Sequence, residues 1–396
     1  IDYTTDNLKI EAGYVKNPLS LSVGYFYSTF RNENIYLNFR NPSSPTITAT
    51  TPDISTLPPN NTDYKLEFKG AVKLPLNSKF NVNLSTGSTL LSSYVTPTAL
   101  RVITLSDYVF DGKIDRQNYD FLLTSSPVYF LNGKVFYKYY NTNNKSDLIT
   151  TTDGTSTFTN PLFDYRKVKY GAELGFKLPA GFYLTPAYTH VLTQRAARED
   201  IPKNDDDIYG FELKWSGLEF MVAKAGYERL QRRGDFHGPD ITGPTDSANI
   251  EQYQRRYDVA PRDQDTYKAS LDLFPIERLN VSLRYKYKDT NYKETILGLR
   301  KAKRDEFNVD ADYLIGKRVR LFGFFDYEYV KLDQFQRQIP FGTTLFNPAN
   351  PPTSTAYNWT MTQTENNYAY GLGADIYLLL EKLTLRLQHN LYKSDG

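Results

Sequence analysis

The sequence predicts an all-β fold: a large antiparallel up-and-down transmembrane β-barrel, with sixteen strands visible in this chain. Three observations carry the prediction. Apolar and polar residues alternate with a period of two along most of the 396 residues. The alternating segments come in pairs, joined tightly at one end and by long polar connections at the other. No run approaches the roughly 20 consecutive apolar residues of a membrane-spanning helix, so crossing lipid would have to be done by strands closed into a barrel.

Residues 278–290 illustrate the alternation. In RLNVSLRYKYKDT, Leu279, Val281, Leu283, Tyr285 and Tyr287 fall on one face, and Ser282, Arg284, Lys286 and Lys288 on the other. A period of two describes a strand with two unlike sides.

Eight hairpins follow in chain order. Their tight turns are expected near residues 17–18, 74–77, 126–132, 179–181, 216–217, 275–277, 315–317 and 380–382. Pro18, Pro75, Pro127, Pro179 and Pro275 mark five of them, because proline lacks the N–H a ladder needs and presets a turn. The long connections span residues 41–62, 95–111, 142–164, 196–207, 234–264, 290–302 and 335–364. Short turns on one side and long loops on the other is the arrangement of outer-membrane barrels, with the short turns periplasmic.

The outward rows are apolar. They include Leu8, Ile10, Ala12 and Tyr14; Leu19, Leu21, Val23, Tyr25 and Tyr27; and Tyr64, Leu66, Phe68, Gly70 and Val72. Later rows are Val168 to Phe176, Phe307 to Tyr313 and Val319 to Tyr327, taken at every second residue. Each segment has the roughly 9–11 residues that let a tilted strand cross the hydrocarbon layer. Trp215, Phe220, Tyr329 and Tyr368, beside turns and loops, fit an interfacial aromatic girdle.

The opposite rows are charged. The candidate lumen residues are Lys65, Glu67 and Lys69; Lys169, Glu173 and Lys177; Glu212 and Lys214; Lys268 and Asp272; Arg284 and Lys286; Asp310 and Asp312; and Arg318 and Arg320. Lys or Arg at the bilayer midplane on the lipid face would cost about 2–4 kcal/mol each, a penalty avoided in a wet or filled lumen. For most single positions, simple solvation is sufficient explanation; their sum carries the functional meaning.

Topology adds an expectation. With short turns periplasmic, the first strand descends from outside and the sixteenth climbs back out. Complete bacterial barrels end in the periplasm, and this chain stops at Lys393-Ser394-Asp395-Gly396 without an aromatic strand end. Residues 1–396 are therefore expected to form one transmembrane barrel domain lacking strands at both ends, with eighteen or more in the complete protein. A chain beginning at Ile1 with no signal peptide is expected to be mature, processed or a fragment.

Composition excludes several functions. There are no cysteines, hence no disulfide scaffold, no thiolate metal site and no attachment sequence for haem c on this chain. The 47 basic and 45 acidic residues leave a net charge of +2, so no global nucleic-acid signature exists. The three histidines, His190, His237 and His389, are not at metal-motif spacing and are expected to be incidental or interfacial. Residues 199–207, EDIPKNDDD, are oxygen-rich but lack the glycine and ligand spacing of a calcium loop, which favours a solvated turn. Arg233-Gly234-Asp235 matches an adhesion tripeptide by chance. No nucleophile elbow, Ser/His/Asp set or phosphate-cradling glycine loop stands out, so no catalytic residue and no enzymatic activity are assigned.

Residues 255–299, RRYDVAPRDQDTYKASLDLFPIERLNVSLRYKYKDTNYKETILGL, resemble the MtrB/PioB family of outer-membrane barrels that accompany multihaem cytochromes. The likeness lies in Arg262-Asp263 before a strand, the hairpin, and Tyr292 followed by Leu297-Gly298-Leu299. Residues 24–42, GYFYSTFRNENIYLNFRNP, and residues 188–200, with Arg195 and Arg198-Glu199-Asp200, resemble further segments in matching order. Some family members carry an N-terminal cysteine pair that has no counterpart here.

The resemblance implies a porin-like sheath in the outer membrane of a Gram-negative bacterium. A periplasmic-side multihaem c-type cytochrome would be inserted in its lumen and an extracellular one would sit at the long loops. The haem c would be carried by the partners, and the sheath would serve extracellular electron transfer. A solute-conducting porin or transporter, and a structural barrel whose loops bind a partner or surface, are the alternatives.

Overall fold

Alternation over 12 to 22 residues at a time leaves little choice but long strands. The computed structural model describes residues 3–39, 53–95, 103–154, 156–198, 200–236, 255–337, 358–379 and 382–396. The strands are β1 (Tyr3–Lys16), β2 (Leu19–Asn32), β3 (Tyr36–Phe39), β4 (Asp53–Thr56), β5 (Asn61–Leu74), β6 (Ser78–Tyr94), β7 (Ile103–Leu105), β8 (Val109–Val128), β9 (Leu131–Asn144), β10 (Thr150–Asp153) and β11 (Ser156–Thr159). They continue with β12 (Tyr165–Lys177), β13 (Phe182–Arg195), β14 (Lys203–Leu218), β15 (Met221–Arg233), β16 (Arg262–Leu273), β17 (Leu279–Asn291), β18 (Gly298–Ile315), β19 (Val319–Arg337), β20 (Asn358–Leu379) and β21 (Leu383–Asp395). Sixteen of them form one sheet in chain order, from β1 to β21. The described residues contain no α-helix, only a 3₁₀ turn at Pro179–Gly181.

The chain divides into two compact units. One holds residues 1–125, 136–170 and 193–198, and the other residues 126–135, 171–192 and 199–396. In the first unit, β1, β2, β5, β6 and β8 pair antiparallel in unbroken register. One row runs Ala12–Val23–Phe68–Leu84–Tyr119 from strand to strand, and the adjacent row runs Glu11–Gly24–Glu67–Ser85–Asn118. The two faces are therefore apolar and polar as the sequence predicts.

The second unit repeats this. An apolar row runs Leu213–Ala225–Ala269–Tyr285–Phe307–Tyr327–Tyr368, beside a polar row Glu212–Gly226–Lys268–Lys286–Glu306–Glu328–Asn367. On the apolar face Leu8, Ile10, Leu66, Leu321 and Phe325 are all exposed. An apolar surface extending over whole strands is a lipid surface, since water-soluble monomers rarely expose more than a few hundred Å² of it.

Six of the eight expected turns lie where proline and polar residues place them; of the turn expected at 380–382, Leu380 and Glu381 lie outside the described residues. The remaining one moves. Residues 216–217 form an irregularity within β14, and the turn falls at Glu219 and Phe220. The cause is the neighbouring 3₁₀ turn: Gly217 backbone would lie 2.8 Å from a Cβ at Gly181, and the Trp215 indole N–H donates to Ala180 O at 3.0 Å. Only a bulged Ser-Gly step fits that close approach.

The long connections contain structure that alternation did not predict. Within residues 41–62, β4 pairs with β3 as a ribbon. β7, from the connection expected at 95–111, joins β10 and β11, from that at 142–164, in a separate three-stranded sheet. The polar run 199–207 is not a free loop either, because β14 already begins at Lys203.

A basic side chain placed mid-strand should discriminate the faces. Leu283→Arg on the apolar face is expected to cost about 2–4 kcal/mol in lipid vesicles. Ala369→Arg, on the polar face opposite Asp326, should change stability by no more than about 1 kcal/mol. Urea midpoints of the refolded barrels measure both.

Candidate functional site

The polar face carries the sequence-predicted residues, and register brings most of them into opposed rows. In the first unit Lys65 faces Phe26 and Gly87, Glu67 faces Gly24 and Ser85, and Lys69 faces Ser22 and Asn83. In the second, Lys214 shares a row with Lys224, Ser270, Arg284 and Asn308, and Asp272 shares one with Ser282 and Asp310. Glu173 and Lys177 alternate along β12 with the apolar Leu174 and Phe176. Arg318 alone is off the rows: it lies in the turn before β19, where its carbonyl accepts from Tyr377 N–H at 2.8 Å.

Opposite charges meet within and between these rows. Lys69 pairs with Glu67 at 3.0 Å, Lys134 with Glu173 at 2.8 Å, Lys268 with Glu228 at 3.2 Å, Lys286 with Glu306 at 3.1 Å and Arg284 with Asp310 at 3.0 Å. Ser282 donates to Asp272 at 2.7 Å. Near the short turns, Arg320 bridges Asp312 and Asp375, and Arg386 grips Asp375 with two hydrogen bonds of 2.7 and 3.0 Å. Most of these side chains are well exposed, so each exposed pair is worth only about 0–1 kcal/mol; Asp375 is almost fully buried between its two arginines. Lys65, Lys177, Glu212 and Lys214 make no ion pair among the described residues and are available to another molecule. Lys169 lies over the Phe136 ring at 5.6 Å.

Two aromatics, Phe322 and Phe324, sit on the polar face because β20 offers glycine there. A Cβ at Gly373 or Gly371 would fall 2.3 or 2.5 Å from these rings. The rings thus cover bare backbone, the cross-strand rescue known for sheet glycines.

The tightest packing lies at the long-connection end of the second unit. Ile201, Asn204, Val259, Ala260, Tyr292 and Leu297 are almost fully buried there. Asn204 Nδ2 donates to Val259 O at 2.8 Å, and Arg255 N–H to Leu297 O at 3.2 Å, while the Arg255 guanidinium stacks 3.3 Å from the Phe236 centroid. Burial lowers the Arg255 pKa, against the raising influence of Glu294 and Asp200. Gly298, at φ +115, makes the sharp entry into β18 against Arg255 O.

This cap reassigns three motifs. A Cβ at Gly234 would strike Asn204, Ile201 and Lys203, so Arg233-Gly234-Asp235 holds packing rather than an adhesion signal. The carboxylates of 205–207 are each engaged. Asp205 pairs with Lys203 at 3.0 Å, Asp206 takes Arg232 through two 2.8 Å bonds, and Asp207 accepts from Tyr188 at 2.8 Å. His190 Nδ1 lies 2.9 Å from Asp207. His389 is on the exposed β21 opposite Leu372, and His237 lies outside the described residues. Among the described residues no group of three or more histidines and carboxylates is arranged for a metal. The cap was not legible beforehand, because its contacts join segments 19 to 55 residues apart in sequence; its one local signal is the apolar Val259-Ala260 pair inside a polar stretch.

All 396 residues match a single family, described as putative outer membrane beta-barrel porin, MtrB/PioB. The chain belongs to this family, and it is an outer-membrane barrel of porin type. Outer membrane protein MtrB of Shewanella baltica is 22% identical over 351 residues, covering 84% of this chain and 48% of that protein. The chain thus spans about half the length of the curated relative it matches. Among solved structures, the alcaligin outer-membrane receptor FauA of Bordetella pertussis covers 99% of this chain and 68% of its own, with TM-score 0.49 and 12% identity. The outer-membrane transporter YddB of Escherichia coli covers 98% and 68%, with TM-score 0.48 and 9% identity.

The cap should behave as a unit separable from the strands. Leu297→Ala is expected to cost about 2–5 kcal/mol locally. Amide exchange should accelerate through residues 255–260 and 292–298 and remain unchanged in β16 and β17.

Proposed function

We propose that this MtrB/PioB-family barrel is a sheath that holds and insulates a multihaem c-type cytochrome across the outer membrane. The observation that carries the reading is a polar face with both signs of charge in opposed rows, on a chain that matches the family throughout. The lumen partner would be the periplasmic-side cytochrome, and the long-connection end would receive an extracellular one. Residues 1–396 would act as one barrel domain in this, with no catalytic group of their own.

The physics supports the division of labour. A hydrocarbon layer about 30 Å thick is too wide for one practical electron-tunnelling step, so a chain of haems is needed. Cofactors carry redox chemistry, and protein supplies position, insulation and electrostatics. This chain, lacking cysteine, leaves the haems to the partner. The candidate contacts are the polar-face residues: Lys65, Glu67 and Lys69; Lys169, Glu173 and Lys177; Glu212 and Lys214; Lys268 and Asp272; Arg284 and Lys286; and Asp310, Asp312 and Arg320. Those already paired within the sheet present a neutral but strongly dipolar wall, which sets register more than raw affinity. The unpaired Lys65, Lys177, Glu212 and Lys214 are the natural direct contacts.

Gentle extraction of the complete protein from its native membrane should yield a haem absorbance that co-elutes with the barrel in fixed ratio. A haem-free barrel that passes a persistent ionic current in planar bilayers would favour the solute-porin alternative and sink the sheath. Lys65→Glu with Lys214→Glu breaks no ion pair of the sheet; the pair should lower the retained haem-to-barrel ratio by roughly threefold or more at moderate salt, with the heat-modifiable band unchanged.

A further inference from the structure

The apolar face is not apolar to its upper edge. Its aromatic row Phe211–Tyr227–Tyr267–Tyr287 has ring centroids 6.2, 5.1 and 6.2 Å apart. Such a row sits at the headgroup boundary of a membrane. The next two rows toward the long connections, on the same face, are charged. Arg229 faces Asp265 and Asp265 faces Asp289; Asp263 faces Asn291. Lys303 faces Asp289, and Lys301 faces Asn291. At about 3.4 Å per residue along a strand, these rows begin about 7 Å beyond the tyrosines. Their depth is therefore that of lipid headgroups.

The side chains line a concavity of about 240 Å³, the liquid volume of about eight waters at ~30 Å³ each. Arg229 is held from two sides, by Asp263 at 3.1 Å and Asp265 at 3.0 Å. Lys293 pairs with Asp263, and Lys303 lies 3.7 Å from Asp289. Lys301 has no ion-pair partner among the described residues. Four cations thus share three carboxylates, leaving one positive charge in excess. The carboxylates fix the cations around the concavity rather than filling it.

We propose that Arg229, Lys293, Lys301 and Lys303 bind a phosphate of a phosphorylated glycolipid in the outer leaflet. The occupant follows from position. The concavity opens on the lipid-facing side, whereas the proposed protein partner lies on the other face. Cations at headgroup depth meet phosphates, and Arg presented by carboxylates is a bidentate phosphate donor. The site would anchor the barrel's vertical position independently of what fills the lumen, so it does not depend on the cytochrome reading.

Native mass spectrometry of the complete protein in mild detergent tests this, with purified bisphosphorylated lipid A and its dephosphorylated form as probes. Wild type is expected to retain the phosphorylated form at least tenfold better. Lys293→Ala with Lys301→Ala and Lys303→Ala should remove that preference while heat-modifiability persists. Should the triple variant not fold, Lys301→Gln, which breaks no ion pair, should reduce retention about threefold, and Lys301→Arg should restore it. Equal retention of both lipids by wild type, unchanged retention by Lys301→Gln, or displacement of the lipid by equimolar inorganic phosphate would each overturn the proposal.

Discussion

Everything in this molecule depends on the backbone ladder. A chain in hydrocarbon has no water to satisfy its N–H and C=O groups, and each unmet group costs several kcal/mol. Antiparallel pairing of neighbouring strands in unbroken register satisfies them row after row. Register in turn decides which residues share a face, because a slip of one residue would carry every charged side chain to the lipid. Hydrogen bonding and side-chain chemistry thus constrain each other: the ladder holds the faces apart, and the cost of charge in lipid holds the register.

That coupling explains where tight burial occurs. The strands bury almost nothing completely. The most buried large side chains, Ile201, Leu297 and Val259, lie in the cap at the long connections. There, strands rise beyond the lipid and backbone is again exposed to water, so connecting segments need packing of their own. Asn204 and Arg232 supply it, by tying the start of β14 and the end of β15 to Val259 and Asp258, while Gly234 lets the chain pack on residues 201–204. The three-stranded sheet of β7, β10 and β11 answers the same need in the first unit with backbone pairing instead.

The period-two pattern and the proline-marked turns made sixteen strands, their order and both faces legible in the sequence, since each strand states its own orientation locally. What escaped was non-local or a matter of one residue. Ser216-Gly217 has the composition of a turn, but Gly181 in the neighbouring 3₁₀ turn converts it to a bulge. The short strands β3, β4, β7, β10 and β11 span too few residues for alternation to register. Asp205, Asp206 and Asp207 look like a solvated run, and only the fold brings Lys203, Arg232, Tyr188 and His190 to them. On the polar face, the sequence identified the charged rows but not the sharing of partners, such as Arg320 between Asp312 and Asp375.

The two charged surfaces solve different problems with the same residue types. On the polar face, cations and anions pair with each other and largely cancel, as at Lys286 with Glu306 and Arg284 with Asp310. A wall of that kind has little net field but steep local dipoles, which is the pattern the proposed protein partner would have to match in shape and charge register. Above the aromatic row on the apolar face, the balance instead tips positive around Arg229, Lys301 and Lys303, where a membrane presents phosphates. Charge pattern therefore separates the two environments as sharply as hydropathy does. A cancelled ladder suits a fixed macromolecular surface, and a small excess of one sign suits an abundant, mobile anion. The single feature common to both is that carboxylates on adjacent strands position the cations, which is again a consequence of register.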